Sequence, residues 1–108
     1  MYLRVVYLSQ VTDDAKLKVF RTANVIGQGY DIIEILRKHP DGISFSQILK
    51  KTAMNPNTLT RKLWGLMEEG IIERTLMRPD EKRRYSFYKI TPQGKLFIDK
   101  LEEMNYFV

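Results

Sequence analysis

Residues 53–70 read AMNPNTLTRKLWGLMEEG, and no other stretch restricts the fold as tightly. Asn55 is a favoured helix cap, and Pro56 suits the first helical position, where its missing amide proton costs least. Leu59, Leu63, Leu66 and Met67 follow i, i+4, i+7, i+8, which predicts a helix over 56–69 with one face on a core. Asn57, Thr58, Arg61 and Lys62 then turn elsewhere, mostly outward. Gly70 stops the helix after Glu68 and Glu69, two charges poorly placed for the dipole at that end. Upstream, Ser44-Phe45-Ser46-Gln47 has capping-box spacing, so a shorter helix starts there. Ile48, Leu49, Thr52 and Ala53 form its inner side, and Lys50 and Lys51 point outward. Only Ala53, Met54 and Asn55 separate the two helices, which must therefore cross steeply.

The rest of the chain surrounds this pair. The segment YLRVVYL over 2–8 suits a short strand while leaving a helix open. Thr12 followed by Asp13 and Asp14 is a good helix start, with Leu17, Phe20, Ala23 and Ile26 as an apolar stripe. Gly27-Gln28-Gly29 should interrupt that helix. A buried helix follows over 30–39, rich in isoleucine on one side, and Pro40 with Asp41-Gly42 ends it. His39 reads as a helix-end residue rather than a ligand. Two strands, over 71–79 and 84–90, form a hairpin whose loop and flanks carry Arg78, Lys82, Arg83 and Arg84. Tyr85, Phe87 and Tyr88 read as hairpin packing. Thr91-Pro92 opens a final helix lined by Phe97, Leu101, Met104 and Val108, with Leu96 and Ile98 widening the stripe.

Charge narrows the partner. The chain of 108 residues carries a formal net charge of +5, and residues 50–95 hold eleven Lys and Arg against five Asp and Glu. The surplus sits wholly in that stretch, which suggests a polyanion partner or, more plainly, a solvated face. With 44% hydrophobic and 29% charged residues the chain should fold as one domain over 1–108. No cysteine is present, so disulfides, thiolate metal sites and thiol redox switches are excluded, and one histidine weakens any metal or acid-base scheme. No apolar run is long enough to span a membrane. No glycine-rich phosphate loop or Ser-His-acid set points to an enzyme.

The order helix, helix, steep turn, helix, hairpin is that of a winged helix-turn-helix domain, mainly α with a small β-hairpin wing. NTLTRKLWGLMEEGIIER resembles the recognition-helix signature of the MarR superfamily: a Thr-Arg pair, a leucine-spaced helix, an E-x-G stop and a strand ending in Glu-Arg. VFRTANVIGQGYDIIEILRKHPDG and YKITPQGKLF resemble the HxlR-like subfamily, and the likeness covers about residues 19–103. The N-terminal cysteine of many such proteins is missing. Ala53 replaces the glycine of many helix-turn-helix turns, which should preserve the crossing only if the backbone there is not strongly left-handed.

The resemblance implies a dimeric transcriptional regulator; the chain itself reads as cytoplasmic (prokaryotic, nucleoid-associated), without cofactor or metal, and no residues identify an effector. The resemblance also implies palindromic double-stranded DNA as partner, the helix over 56–69 in the major groove, and the wing over 71–90 on flanking backbone or minor groove. Helices over 12–26 and 92–105 would build the dimer. Arg61 and Lys62 are long enough for guanine edges or phosphates, while Asn57, Thr58 and Thr60 offer shorter donors and acceptors. Arg83 and Arg84, with Arg78 and Lys82 nearby, suit a minor groove or phosphates. Trp64 is expected at the edge of the core. A rival reading uses the same fold as a protein-interaction module of the transcription machinery.

Overall fold

The computed structural model describes the backbone of residues 13–80 and 83–106 and the side chains of residues 17–76 and 86–106. The segment 2–8, Thr12, Lys82 and Val108 lie outside these residues. Helix α1 (Asp13–Gln28) is interrupted within Gly27-Gln28-Gly29, as expected, with Gly27 still helical and the break falling at Gly29. A single glycine costs a helix about 1 kcal/mol, and burial of Ala23 and Ile26 on the same helix offsets that. Gly29 itself has a packing reason: a Cβ there would lie 3.0 Å from Cδ1 of Leu66.

Helix α2 (Tyr30–Arg37) buries Ile32, Ile33 and Leu36 and stops two residues earlier than expected. The amides of Lys38 and His39 bond back to the carbonyls of Ile35 and Leu36, and His39 Nδ1 lies 3.0 Å from the Ile35 oxygen, so the histidine does finish a helix. A two-residue strand, β1 (Ile43–Ser44), follows and pairs antiparallel with Tyr88 and Phe87. It is too short to carry any periodic signal, which is why the sequence did not reveal it.

Helix α3 (Phe45–Thr52) has the expected capping box: the Gln47 amide donates to Ser44 Oγ at 3.3 Å, and the Ser44 amide to Gln47 Oε1 at 3.1 Å. Ile48 is buried, whereas Ala53, expected inside, is exposed. Ala53 is also left-handed, with φ 54° and ψ 24°. The condition set for the turn is therefore not met, yet the turn forms. An L-residue in this conformation costs roughly 1–2 kcal/mol, a strain carried by the packing of the helices on either side.

Helix α4 (Pro56–Glu68) starts where expected, with Asn55 Oδ1 accepting from the Asn57 amide at 2.8 Å. Leu59, Leu63 and Leu66 are fully buried and Met67 packs against the core. Its end is a Schellman turn: the Gly70 amide bonds to Met67 O at 3.0 Å, the Ile71 amide to Leu66 O at 3.0 Å, and Gly70 has φ 72°. Strands β2 (Ile72–Asp80) and β3 (Arg83–Ile90) form the hairpin, with Ile72 opposite Ile90, Glu73 opposite Lys89 and an irregular register between Met77 and Asp80. The antiparallel sheet has the order β1-β3-β2.

Helix α5 (Pro92–Glu103) begins at Thr91, whose hydroxyl donates to Gly70 O at 2.7 Å and accepts from the Gly94 amide at 2.9 Å. The start of α5 is thus stitched to the turn that ends α4. Ile98 and Leu101 enter the core and Phe97 packs against it. Two members of the expected α1 stripe do not: Leu17 and Phe20 stay exposed, because α1 turns only its Thr22, Ala23 and Ile26 side to the other helices. Among the described residues, five helices and this small sheet make a winged helix-turn-helix fold. Among the described residues no helix is long and apolar enough to cross a membrane.

Candidate nucleic-acid interface

Three buried leucines fix the roll of α4 about its axis and therefore decide what points away from the protein. At 100° per residue, Asn57, Thr60, Arg61, Trp64 and Glu68 fall on the side opposite Leu59 and Leu66. All five are exposed. The left-handed turn at Ala53 and the cap at Asn55 set the angle at which this stripe leaves α3. The outward side of α4 is consequently a shaped surface: short polar groups near its start, one guanidinium in its second turn, an indole in the next, and a carboxylate last.

Two expected members of the site sit differently. Thr58 and Lys62 lie on the flank of α4 and are half-buried, and the Lys62 ammonium is 3.6 Å from Asp31 Oδ2 on α2. Part of the Lys62 charge is already answered within the protein. Trp64, expected at the core edge, is 56% exposed. The leucine periodicity was sufficient to place the core, but Trp64 is apolar and adjacent to it in sequence, and only its angular position identifies it as outward.

On the wing, Arg78 lies near the end of β2, and Arg83 and Arg84 open β3, with Asp80 opposite Arg83. The backbone therefore brings these three arginine positions to one end of the hairpin. Below them, Glu73 and Lys89 are paired in register and their side chains meet at 3.4 Å.

Two carboxylates tie α4 and its neighbours together. Glu69, apparently misplaced at the negative end of α4, reaches α1: Thr22 Oγ1 lies 3.2 Å and Arg21 Nε 3.4 Å from its carboxylate. Near the end of α5, Glu102 accepts from Arg37 Nη1 at 2.8 Å and also from Arg37 Nη2 and the Tyr30 hydroxyl, all on α2. Arg37 and then Tyr30 hold the Glu102 carboxyl down at about 2, while the same carboxylate pushes the Tyr30 phenol up to about 12 and the guanidinium higher still. Among the described residues no group of three or more metal-ligating side chains occurs.

A second kind of surface lies on α1 and α5. Leu17, Val19 and Phe20 on α1, and Leu96 with Met104 and Tyr106 at and beyond the end of α5, are exposed although apolar. Val19 and Phe97 line one cleft between the two helices, together with Thr22, Glu69 and Ile71.

Comparison with known proteins agrees with this geometry. Residues 26–76 match the IclR helix-turn-helix domain. The chain is 32% identical over 98 residues to the HTH-type transcriptional regulator PecS of Dickeya dadantii, a match covering 89% of this chain and 58% of that protein. The chain thus spans somewhat more than half the length of that curated relative. Among solved structures, diamide-treated YodB from B. subtilis superposes with a TM-score of 0.72 at 18% identity, covering 90% of this chain and 91% of that one. A MarR-family regulator from Enterococcus faecalis gives 0.70 at 14% identity, covering 90% and 86%. At such identities the structural likeness establishes the winged-helix fold. PecS and the Enterococcus faecalis protein are named as transcriptional regulators.

Proposed function

We propose that this chain is a sequence-specific, double-stranded DNA-binding transcriptional regulator that acts as a homodimer and is of HxlR-like type. The observation that carries the reading is the exposed stripe Asn57, Thr60, Arg61 on α4, held outward by three buried leucines directly after the left-handed turn at Ala53. A helix so mounted enters a major groove, where its polar side chains meet base edges and its first amides approach a phosphate. Arg61 is the principal base reader. Thr58 and Lys62 serve the flanking backbone from the side of α4, and Arg78, Lys82, Arg83 and Arg84 grip phosphates or the minor groove from the wing.

The exposed apolar residues of α1 and α5 support self-association, since covering them with a second copy would remove apolar surface from water. A two-fold dimer would contact a palindromic site with half-sites about 34 Å apart. The HxlR-like subtype is supported by the glycine junction between α1 and α2 and by the YKITPQGKLF segment. Without cysteine, a thiol switch has no place in this proposal, and no cofactor is needed. Binding in the cytoplasm, on nucleoid DNA, follows from the same reading.

The test is a titration of labelled duplexes, first selected from a random pool by the purified chain, at several salt concentrations. Affinity should fall steeply with salt, and the selected sequences should be palindromic. A chain that binds no duplex at any salt would be the protein-interaction module instead. Arg83→Ala should weaken all sequences alike and lower the salt slope by about one.

A further inference from the structure

Trp64 is the protein's only tryptophan, and it stands 56% exposed on α4. Nothing in the core requires it there, because Leu59, Leu63 and Leu66 complete the buried face without it. It lies three residues beyond Arg61 and four beyond Thr60, so it continues their stripe by about one turn. The next residue on that stripe is Glu68, also exposed, whose carboxylate is repelled by phosphate and so bounds the DNA-facing stretch. The DNA-facing stretch therefore ends in a large, rigid, apolar side chain. The dimer surface proposed above does not account for it, since that surface is built from α1 and α5.

Base edges in the major groove present hydrogen-bond donors and acceptors with one apolar exception, the C5-methyl group of thymine. Phosphates are matched by Arg, Lys and backbone amides, and an indole carries a single donor that leaves the rest of its surface without a polar role. Resting on the DNA-binding reading, we infer that Trp64 is a specificity residue whose indole packs against a thymine methyl in the major groove. The thymine would stand at a fixed offset from the base read by Arg61. A Trp at this position thus makes the bound site depend on a methyl group, while Arg61 makes it depend on hydrogen bonds.

The experiment uses the whole chain and a fluorescein-labelled duplex selected from a random pool, with anisotropy reporting binding and tryptophan emission reporting the environment of this one residue. Emission should change in step with anisotropy. Trp64→Ala should bind the selected duplex roughly tenfold more weakly, and Trp64→Phe should recover part of that loss. Replacing each thymidine in turn with deoxyuridine should reveal one position at which the wild type loses affinity and Trp64→Ala, already without the contact, changes by less than about twofold. Saturating anisotropy with unchanged emission would overturn the inference and leave DNA binding intact. So would an equal loss by Trp64→Ala on the thymidine and deoxyuridine duplexes, which would place the indole on the sugar-phosphate backbone. Absence of binding to any duplex would overturn the DNA reading, and this inference with it.

Discussion

Helix α4 begins at Asn55-Pro56 and ends at left-handed Gly70; helix α5 begins at Thr91-Pro92 and ends at left-handed Asn105. Both close in the same Schellman pattern, with the Ile71 amide on Leu66 O and the Tyr106 amide on Leu101 O. Each is also tied near its end to an N-terminal helix by a carboxylate, Glu69 to α1 and Glu102 to α2. Their outward sides nevertheless differ in chemistry: α4 presents Asn57, Thr60 and Arg61, and α5 exposes Leu96 and, at its end, Met104. Local signals thus determine where a helix starts and stops. What it can bind depends on which residues the core leaves facing outward.

The two helices differ most in what surrounds their glycines. A Cβ on Gly94 would lie 2.2 Å from the Ile71 carbonyl oxygen, where α5 is stitched to the end of α4, whereas one on Gly65 would meet only Val25 Cγ1 at 3.4 Å. Gly94→Ala should lower stability by about 3 kcal/mol or more, since backbone must move. Gly65→Ala should be neutral or stabilising by up to about 1 kcal/mol. Thermal unfolding of the two variants is the measurement.

If the outward stripe of α4 reads DNA, Arg61→Ala should cost about 1–3 kcal/mol of affinity for the selected duplex with the melting temperature unchanged. Lys62→Ala should cost less, because Lys62 already faces Asp31. Equal affinity of wild type and the Arg61→Ala, Lys62→Ala double variant would remove α4 from the groove.

The two carboxylate ties differ in strength. Glu102 meets a guanidinium held at 30% exposure through several charge-assisted bonds, while Arg21 opposite Glu69 is 71% exposed. Glu102→Gln should therefore destabilise by about 1–2 kcal/mol after allowing for solvent screening, and Glu69→Gln by about 1 kcal/mol or less. Because the Glu102 carboxyl is held down at about 2 against an ordinary 4.5, its contribution is complete above about pH 4.5 and lost as pH falls toward 2. Melting temperature followed over that range should drop less in Glu102→Gln than in wild type. A parallel drop in both would assign the acid sensitivity elsewhere.

The smallest effect concerns how the two helices end and begin. Gly70 occupies its left-handed turn without strain, while Ala53, left-handed before α4, carries a Cβ penalty. Ala53→Gly should stabilise the protein by about 0.5–1 kcal/mol, the relief of strain exceeding the entropy lost by glycine. A destabilisation measured by denaturant unfolding would show that the turn is not strained.

Most of the architecture was written in local chemistry. Caps at Ser44, Asn55 and Thr91, the stop at Gly70 and the leucine spacing of α4 act over a few residues, so they could be read directly and the helix-turn-helix followed from their order. The same locality made Arg61 legible as outward. The remainder depended on distant partners. Strand β1 exists because β3 lies beside it, and α1 continues through Gly27 because its other side is buried. The Lys62 charge finds a partner within the protein because Asp31 stands on α2, and Glu69 has a purpose only once Thr22 and Arg21 arrive from α1. Trp64 and Phe20 look in sequence like core residues, and only the way the helices pack leaves both outside. Periodicity gives each side chain an angle about its own helix; which angles become interior is decided when the helices bury one another.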